Sequence, residues 1–471
     1  MKILLINPFT GSGATAGRYR RFLSPMPPIS LAYVAAALEN ADIDMAVYDD
    51  YTCGGDRKLL FDFLENSRPD AVGLTCVTPT ASRTYEICRE IRQVFPRMYI
   101  ILGNIHPSVF YESILHDDIA DIVVHGEAEE SLPETIKAIE GGDDLRAVRG
   151  ISFRENGKVI TTDPHPYINN LDTIPFPAWH LFPRNRYRIF NFATVKNPGT
   201  LILGSRGCPY RCTFCSLKIM GTKRRARSPK NIVDEFEFLY EKYGYVQPSF
   251  IDPIFPFSKK EGIAFSNEMI ARGLHQKMIW ITETRVDHVD EELLTAMSAA
   301  GLRRIMYGFE VGSEQAMEKI QKRATINDAR IAVEQTRRAG IQIIGFFMLG
   351  VPGDTLKTIE QTIRLAASLD IDFAKFTVFS PFPGTQAYDD LLKEGKIHQT
   401  YEWERFTNYP TRKNPPIYLP DSLTTNDIVR SQKRAFVKFY LRPKMIFHHL
   451  FRVRTLGLRD FINGVLTLFQ G

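Results

Sequence analysis

Residues 204–218 read GSRGCPYRCTFCSLK and place Cys208, Cys212 and Cys215 within one short loop, half of the six cysteines in the chain. An odd number of thiols this close cannot all pair, and neighbouring pairs would be strained, so disulfides do not explain the clustering. The i, i+4, i+7 spacing also fits an apolar stripe on a helix. Against that, Gly207 and Pro209 bracket Cys208 directly after a strand-like run, which marks loop. Metal ligation is the reading that remains. A structural zinc site takes four protein ligands, and no second CxxC or nearby His pair supplies the fourth. Cys53, Cys76 and Cys88 all lie in the first part of the chain. A cubane iron-sulfur cluster on three thiolates leaves one iron open to an outside ligand, and an open iron implies chemistry.

The 471 residues suffice for two or three globular units, each with its own core. With 59 basic and 54 acidic residues the net charge is +5, too mild to argue for nucleic acid. The basic runs KRRAR (223–227) and FRVRTLGLRD (451–460) are expected to be solvated faces. MKILLINPF at the start enters a strand pattern with too short an apolar run for a signal peptide or membrane span, so a reducing, cytoplasmic setting is expected.

From residue 1, apolar strand runs alternate with helical patterns: KILLINP, SLAYVAAALENA, DMAVYDD, KLLFDFLEN, AVGLTCVT, TYEICREIRQVF, YIILGN. Strands too apolar to have a wet face predict a parallel sheet covered by helices on both sides, with ligands beyond the strand carboxyl ends. TCVTPT (75–80), GNIHPS (103–108) and HGEAEE (125–130) fall there. The ENGK turn signal (155–158) predicts a hairpin, and the proline-rich stretch 165–183 an extended linker. From residue 200 a second series of six βα repeats follows, too few for an eightfold barrel, so a partial barrel is expected. The expected order is a doubly wound α/β domain (1–145), hairpin and linker (146–195), partial (β/α)6 barrel (196–390) and a mainly helical C-terminal extension (391–471). The amphipathic, basic stretch IVRSQKRAFVKFYLRPKMIFHHLFRV admits peripheral membrane contact, a partner, or packing on the barrel.

The cysteine loop meets, residue for residue, the CxxxCxxC signature of the radical S-adenosylmethionine (SAM) superfamily, with Phe214 before the last cysteine. The resemblance implies that Cys208, Cys212 and Cys215 hold a [4Fe-4S] cluster, that SAM chelates the fourth iron, and that its cleavage yields a radical able to abstract hydrogen from unactivated carbon. It also implies oxygen sensitivity and an electron donor such as flavodoxin or ferredoxin. Residues 284–322, 346–363 and PFPGT (381–385) are similar to the branch shared by tRNA methylthiotransferases and cobalamin-dependent members. By that alignment Phe214, Glu310 and Arg285 border SAM; the alternative is a structural ion pair between Glu310 and Arg285 or Arg303.

PPISLAYVAAAL and HGEAEESL in the first domain resemble the cobalamin-binding members across nearly the whole chain. Cobalamin would then lie on the strand ends of the Rossmann-like domain, beside Thr75, Thr78, Gly103, Ser108 and Gly126. The DxHxxG loop that offers a histidine to cobalt is absent, and DDYTCGGD (49–56) is no substitute; His106 is either the candidate ligand or a loop-shaping residue bonded to backbone, and the resemblance also admits cobalamin held with no protein ligand. Asn104 stands where a second glycine is usual. The function implied is methylation of an unactivated carbon in a small or hydrophobic metabolite, with SAM as both radical source and methyl donor. The alternatives are a cyclase or rearrangement enzyme, tRNA modification, and an iron-sulfur electron carrier. Trp179, Phe255 and Tyr307 admit two readings, the lining of a hydrophobic mouth or simple core packing.

Overall fold

The computed structural model describes residues 1–9, 26–187 and 194–447. Strand β1 (Lys2–Asn7) is KILLIN, and its four central residues are buried on alternate faces, as a strand between two helical layers requires. It pairs in parallel with β2 (Asp44–Asp49) and β3 (Ala71–Thr75), and β4 (Tyr99–Gly103) and β5 (Ile122–Val124) continue the sheet. Leu4 and Ile6 face the helices Arg57–Ser67, Ala81–Val94 and Ile105–His116; Ile3 and Leu5 face Ile29–Asn40 and Ala128–Gly141.

The expected hairpin forms as β6 (Ile151–Glu155) and β7 (Lys158–Thr161) and extends this sheet antiparallel to β5, giving the order β2-β1-β3-β4-β5-β6-β7. Its turn has Asn156 at φ 48° and Gly157 at φ 77°, the two left-handed residues a tight hairpin demands. The linker lies over the helix Ile29–Asn40, where Ala178 N donates to Ala32 O at 3.0 Å. Trp179 is buried there among residues of both domains, so it is interdomain core, not part of a mouth.

The second sheet is fully parallel, β15-β14-β13-β12-β11-β8: β8 (Gly199–Ile202), β11 (Gln247–Phe250), β12 (Trp280–Thr284), β13 (Leu302–Glu310), β14 (Gln342–Leu349) and β15 (Phe373–Val378). It curls into a half-barrel backed by helices. Pro229–Tyr243 shows how the sequence punctuates them: Ser228 accepts from Asn231 N, proline opens the first turn, and Gly244 at φ 66° ends the helix. A two-residue ribbon, β9 (Ser205–Arg206) with β10 (Arg225–Ala226), brackets the cysteine loop. One apolar cluster runs from Leu4 and Cys76 of the first domain to Val311, Met348 and Trp403, so the first sheet is seated on the barrel.

Helix Thr425–Tyr440 spends its apolar face on the barrel: Ile428, Ala435 and Phe439 are buried, and Gln432 Nε2 donates to Phe376 O at 2.9 Å. That part of the basic stretch is therefore barrel packing. The run 451–460 lies outside the described residues. No helix among them is long and apolar enough to cross a membrane.

Candidate functional site

The cysteine loop leaves β8 at the open rim of the half-barrel. Asp252, just beyond β11, accepts from Gly204 N at 2.9 Å and from Ser205 Oγ at 2.6 Å, which fixes the entry; burial pushes its carboxyl up to about 7. Gly207 has φ 77°, and a Cβ there would meet Lys223 O at 2.4 Å, so glycine is required. Cys208 N donates to Gly221 O at 3.2 Å and Cys215 N to Cys212 O at 3.1 Å, a tight turn around the three thiols. Thr213 pins the loop to two distant segments: its N donates to Ile320 O at 3.1 Å, and its O accepts from Ala387 N at 2.9 Å.

All three thiols are partly exposed, and Phe214 between them packs on the interdomain core. Cys76 and Cys88 differ: both are fully buried in the first domain, where burial raises their pKa, that of Cys76 to about 12. Buried thiols of that kind are inert. No three His, Cys, Asp or Glu side chains among the described residues converge as ligands of a single ion would. Three thiolates of a cubane each bind a different iron, so a spread of partly exposed cysteines on one loop fits a cluster better than a mononuclear site.

Around this loop stand the residues expected beside SAM. Arg285 lies with its guanidinium 3.8 Å from the ring centroid of Tyr210, inside the CPYRC run, and donates from Nε and Nη2 to Asp287 at 2.8 Å. Glu310 ends β13 at φ 61° after an irregularity in register, and accepts from Lys322 Nζ at 2.6 Å. Burial raises the Cys212 thiol, while Lys322 and Arg285 pull it back, so these cations border the loop. The pairing of Glu310 with Arg285 or Arg303 does not occur; Arg303 instead donates to Ser298 O. Sequence analysis does not single out Lys322 or Tyr210, whose partners are set by the fold. Phe255 and Tyr307 are also not at a mouth. Phe255 stacks on Phe250 at 3.8 Å in the barrel core, and Tyr307 is buried with its hydroxyl on Thr336 Oγ1 at 2.9 Å.

Facing the loop is a cavity of about 410 Å³ between the two domains. The first sheet contributes Thr75, Gly103, Asn104, Ser108 and Gly126, and the barrel contributes Ser205, Gly207, Ile251 and Pro253. Gly103 and Gly126 leave open space where a side chain would intrude, with nothing nearer than 3.9 Å to a Cβ at Gly103. Asn104 sits at φ 87°, its Nδ2 donating to Thr75 Oγ1 at 2.9 Å and its Oδ1 accepting from Ile105 N at 2.8 Å, so its amide is engaged with its own turn. An apolar floor of Leu5, Ile101 and Val124 with a glycine rim suits a flat macrocycle.

His106 and Thr78 are not on that cavity. The helix Ile105–His116 turns His106 under the sheet, fully buried, with Nδ1 3.1 Å from Thr78 Oγ1 and Nε2 2.9 Å from Tyr85 OH. Trp403 meets its ring edge-on at 4.6 Å, and burial lowers its pKa to about 3. Both nitrogens are committed, so His106 is a core histidine and not a cobalt ligand. Among the described residues, no histidine, cysteine or lysine lines the cavity.

Ion pairs that sequence reasoning missed join the two halves. Glu127, just after β5, accepts from Arg225 Nη1 at 2.7 Å, Arg206 Nη1 at 3.1 Å and Ile168 N at 2.8 Å; Arg206 Nη2 reaches Glu129 at 2.5 Å. Burial disfavours the Glu127 carboxylate, but the Arg225 and Arg206 contacts outweigh it and hold its pKa below the ordinary range. The run KRRAR is thus not a solvated face: Arg225 and Arg227 are buried, Arg227 on Glu235, and Arg224 pairs with Glu261 at 2.6 Å.

Family profiles match both halves: the B12 binding domain over residues 19–136 and the radical SAM superfamily over residues 202–366. An uncharacterized methyltransferase of Pyrococcus horikoshii is 30% identical across 100% of this chain and 99% of its own. The anaerobic magnesium-protoporphyrin IX monomethyl ester cyclase of Cereibacter sphaeroides is 29% identical over 100% of this chain and 75% of its own. The structure of the radical SAM methyltransferase TsrM from Kitasatospora setae, solved with cobalamin and a [4Fe-4S] cluster, shares the fold with a TM-score of 0.72 at 19% identity, covering 95% of this chain and 90% of that one. The chain belongs to the radical SAM superfamily, in the group whose members carry a B12-binding domain ahead of the barrel.

Proposed function

We propose that the protein is a cobalamin-dependent radical SAM methyltransferase acting on an unactivated carbon of a small molecule. The observation that carries this reading is the single cavity lined at once by the strand ends of the first sheet and by Ser205 and Gly207 of the cysteine loop. When bound, the cluster supplies the electron that cleaves SAM, and cobalamin supplies a cobalt that carries methyl. The chain's own part is to hold these centres face to face. Cys208, Cys212 and Cys215 present three thiolates from a loop fixed through Thr213, and Glu310 with Lys322, and Arg285 on Tyr210, frame the rim where SAM would sit. Thr75, Gly103, Ser108 and Gly126 shape the opposite wall. Among the described residues that line the cavity, none is a histidine, cysteine or lysine, so the wall would hold cobalamin through small side chains and backbone rather than through a side chain on cobalt.

A flavodoxin or ferredoxin is the class of donor that would reduce the cluster, in a cytoplasmic setting, and peripheral membrane contact would rest on the part of the basic stretch 428–453 beyond the helix Thr425–Tyr440. The test is anaerobic reconstitution followed by a count of SAM-derived products. S-adenosylhomocysteine formed alongside 5′-deoxyadenosine supports methylation. Deoxyadenosine alone, with substrate consumed, would instead favour a cyclase, as in the relative from Cereibacter sphaeroides.

A further inference from the structure

The half-barrel interior holds two charges that neither the cluster loop nor the cavity uses. Side chains alternate along its strands: Trp280, Tyr307, Phe347 and Phe376 face the backing helices, whereas Ile281, Met306, Ile344 and Phe373 form a separate apolar layer inside. The next inward positions toward the rim are Glu283 on β12 and Lys375 on β15. Neither makes an ion pair or a side-chain hydrogen bond among the described residues. Lys375 Nζ lies 5.7 Å from the centroid of Phe346, while nearby Glu310 is already satisfied by Lys322.

Burial pushes the Glu283 carboxyl up to about 7, the Glu310 charge adding to the effect and Lys322 and Lys375 opposing it. Burial likewise lowers the Lys375 ammonium, with Glu283 opposing. Protein interiors keep charges paired or replace them with apolar groups, because an unpaired buried ion is costly. Glu283 and Lys375 are half-buried and open on that interior, and two opposite charges that line one largely enclosed space without touching are placed for a third party that bridges them.

We propose that Glu283 and Lys375 determine substrate specificity, and that the substrate presents a dipolar, amino-acid-like group: an anionic end to Lys375 Nζ and an ammonium to the Glu283 carboxylate. The assignment rests on the radical SAM reading for the identity of the rim above the pair, and it deepens that reading by naming the substrate class. The middle layer of Met306, Ile344 and Phe373 would take the apolar remainder.

The test uses reconstituted full-length protein and thermal unfolding. The zwitterionic probes are γ-aminobutyrate, 6-aminohexanoate and L-tryptophan; butyrate and butylammonium are the single-charge controls. At about 10 mM, at least one zwitterion is expected to raise the melting temperature of the wild type by roughly 2 °C or more, with no rise from either control. Glu283→Gln and Lys375→Met should each abolish that rise. Without probe, both variants should melt within about 2 °C of the wild type, since neither side chain makes an ion pair or hydrogen bond within the described residues; a fall of about 5 °C or more in either assigns the pair a structural role and overturns the proposal. So does a rise that persists in both variants, or no rise with any zwitterion. If either variant loses the SAM-induced change in the cluster's EPR spectrum, the pair serves SAM and the proposal also fails. Absence of that spectral change in the wild type refutes the radical SAM reading separately.

Discussion

Replacing Glu127 with alanine should loosen the joint on which the cobalamin-side wall and the cysteine loop meet. The Glu127 side chain is 2% exposed, and those of Arg206 and Arg225 are 5% and 4% exposed, so screening by water is slight. Arg206 keeps Glu129, and Arg225 keeps two carbonyls, Ile168 O at 2.8 Å and Met220 O at 3.1 Å, so neither cation is stripped bare. Breaking a buried pair by removing one partner costs about 3–5 kcal/mol, and the remaining partners place this case near the lower end, about 3 kcal/mol. The assay is a double-mutant cycle of Glu127→Ala with Arg225→Met in denaturant, followed at both domains because a chain this size need not unfold in one step. A coupling energy of about 1.5 kcal/mol or more is expected, with weaker cobalamin uptake in the single mutants. Acid gives a second check. The native carboxyl titrates below its unfolded value of about 4.3, so its contribution is present above that pH and is lost as pH falls through the native value. Purely additive single mutants, or a Glu127→Ala melting curve coincident with the wild type, would refute the reasoning.

His106 is buried neutral, with a native pKa near 3 against an unfolded value of about 6.5, so the unfolded chain binds its proton first. Stability should therefore fall as pH drops from about 6.5 toward 3, by about 1.4 kcal/mol per pH unit from this group, and His106→Gln should lower the slope by one proton. An unchanged slope in equilibrium unfolding across that window would show that His106 is accessible. Gly207→Ala should cost about 2 kcal/mol or more, because its Cβ falls 2.4 Å from Lys223 O at a positive φ, and should lower iron incorporation on reconstitution. Iron content equal to the wild type would mean that the loop tolerates another path.

Much of the fold was legible because it is written in short-range patterns. KILLIN can only be a strand buried on both faces, ENGK can only turn a hairpin, and three cysteines in CPYRCTFC had no simpler use than a cluster. The site partners were less legible because they are set by long-range geometry. Glu127 and Arg225 are 98 residues apart, and in KRRAR nothing local separates a buried clamp from a solvated run. His106 shows the limit from the other side: a histidine at a strand end admits a functional or a structural reading, and its place in the first turn of the helix Ile105–His116 directs it into the core beneath the sheet. Trp179 and Phe255 take the packing reading for a related reason, since large aromatics near strand ends fill interdomain and barrel cores before they line openings.

The contacts that hold the cysteine loop explain why its position does not depend on its three thiols. Thr213 is bound through main-chain atoms to Ile320 beyond β13 and to Ala387 beyond β15, and Cys208 through its amide to Gly221. Side-chain substitution at the thiols therefore removes ligands while leaving the loop's path largely intact. Glu127 acts on the other boundary, through Arg206 and Arg225 of the ribbon that brackets the same loop. The loop is thus fixed to the barrel by backbone bonds and to the first domain by charge. Loss of Glu127 should for that reason shift the spacing between the two cofactor walls before it disturbs the three thiolates, so cobalamin uptake should weaken in Glu127→Ala while iron content stays near that of the wild type.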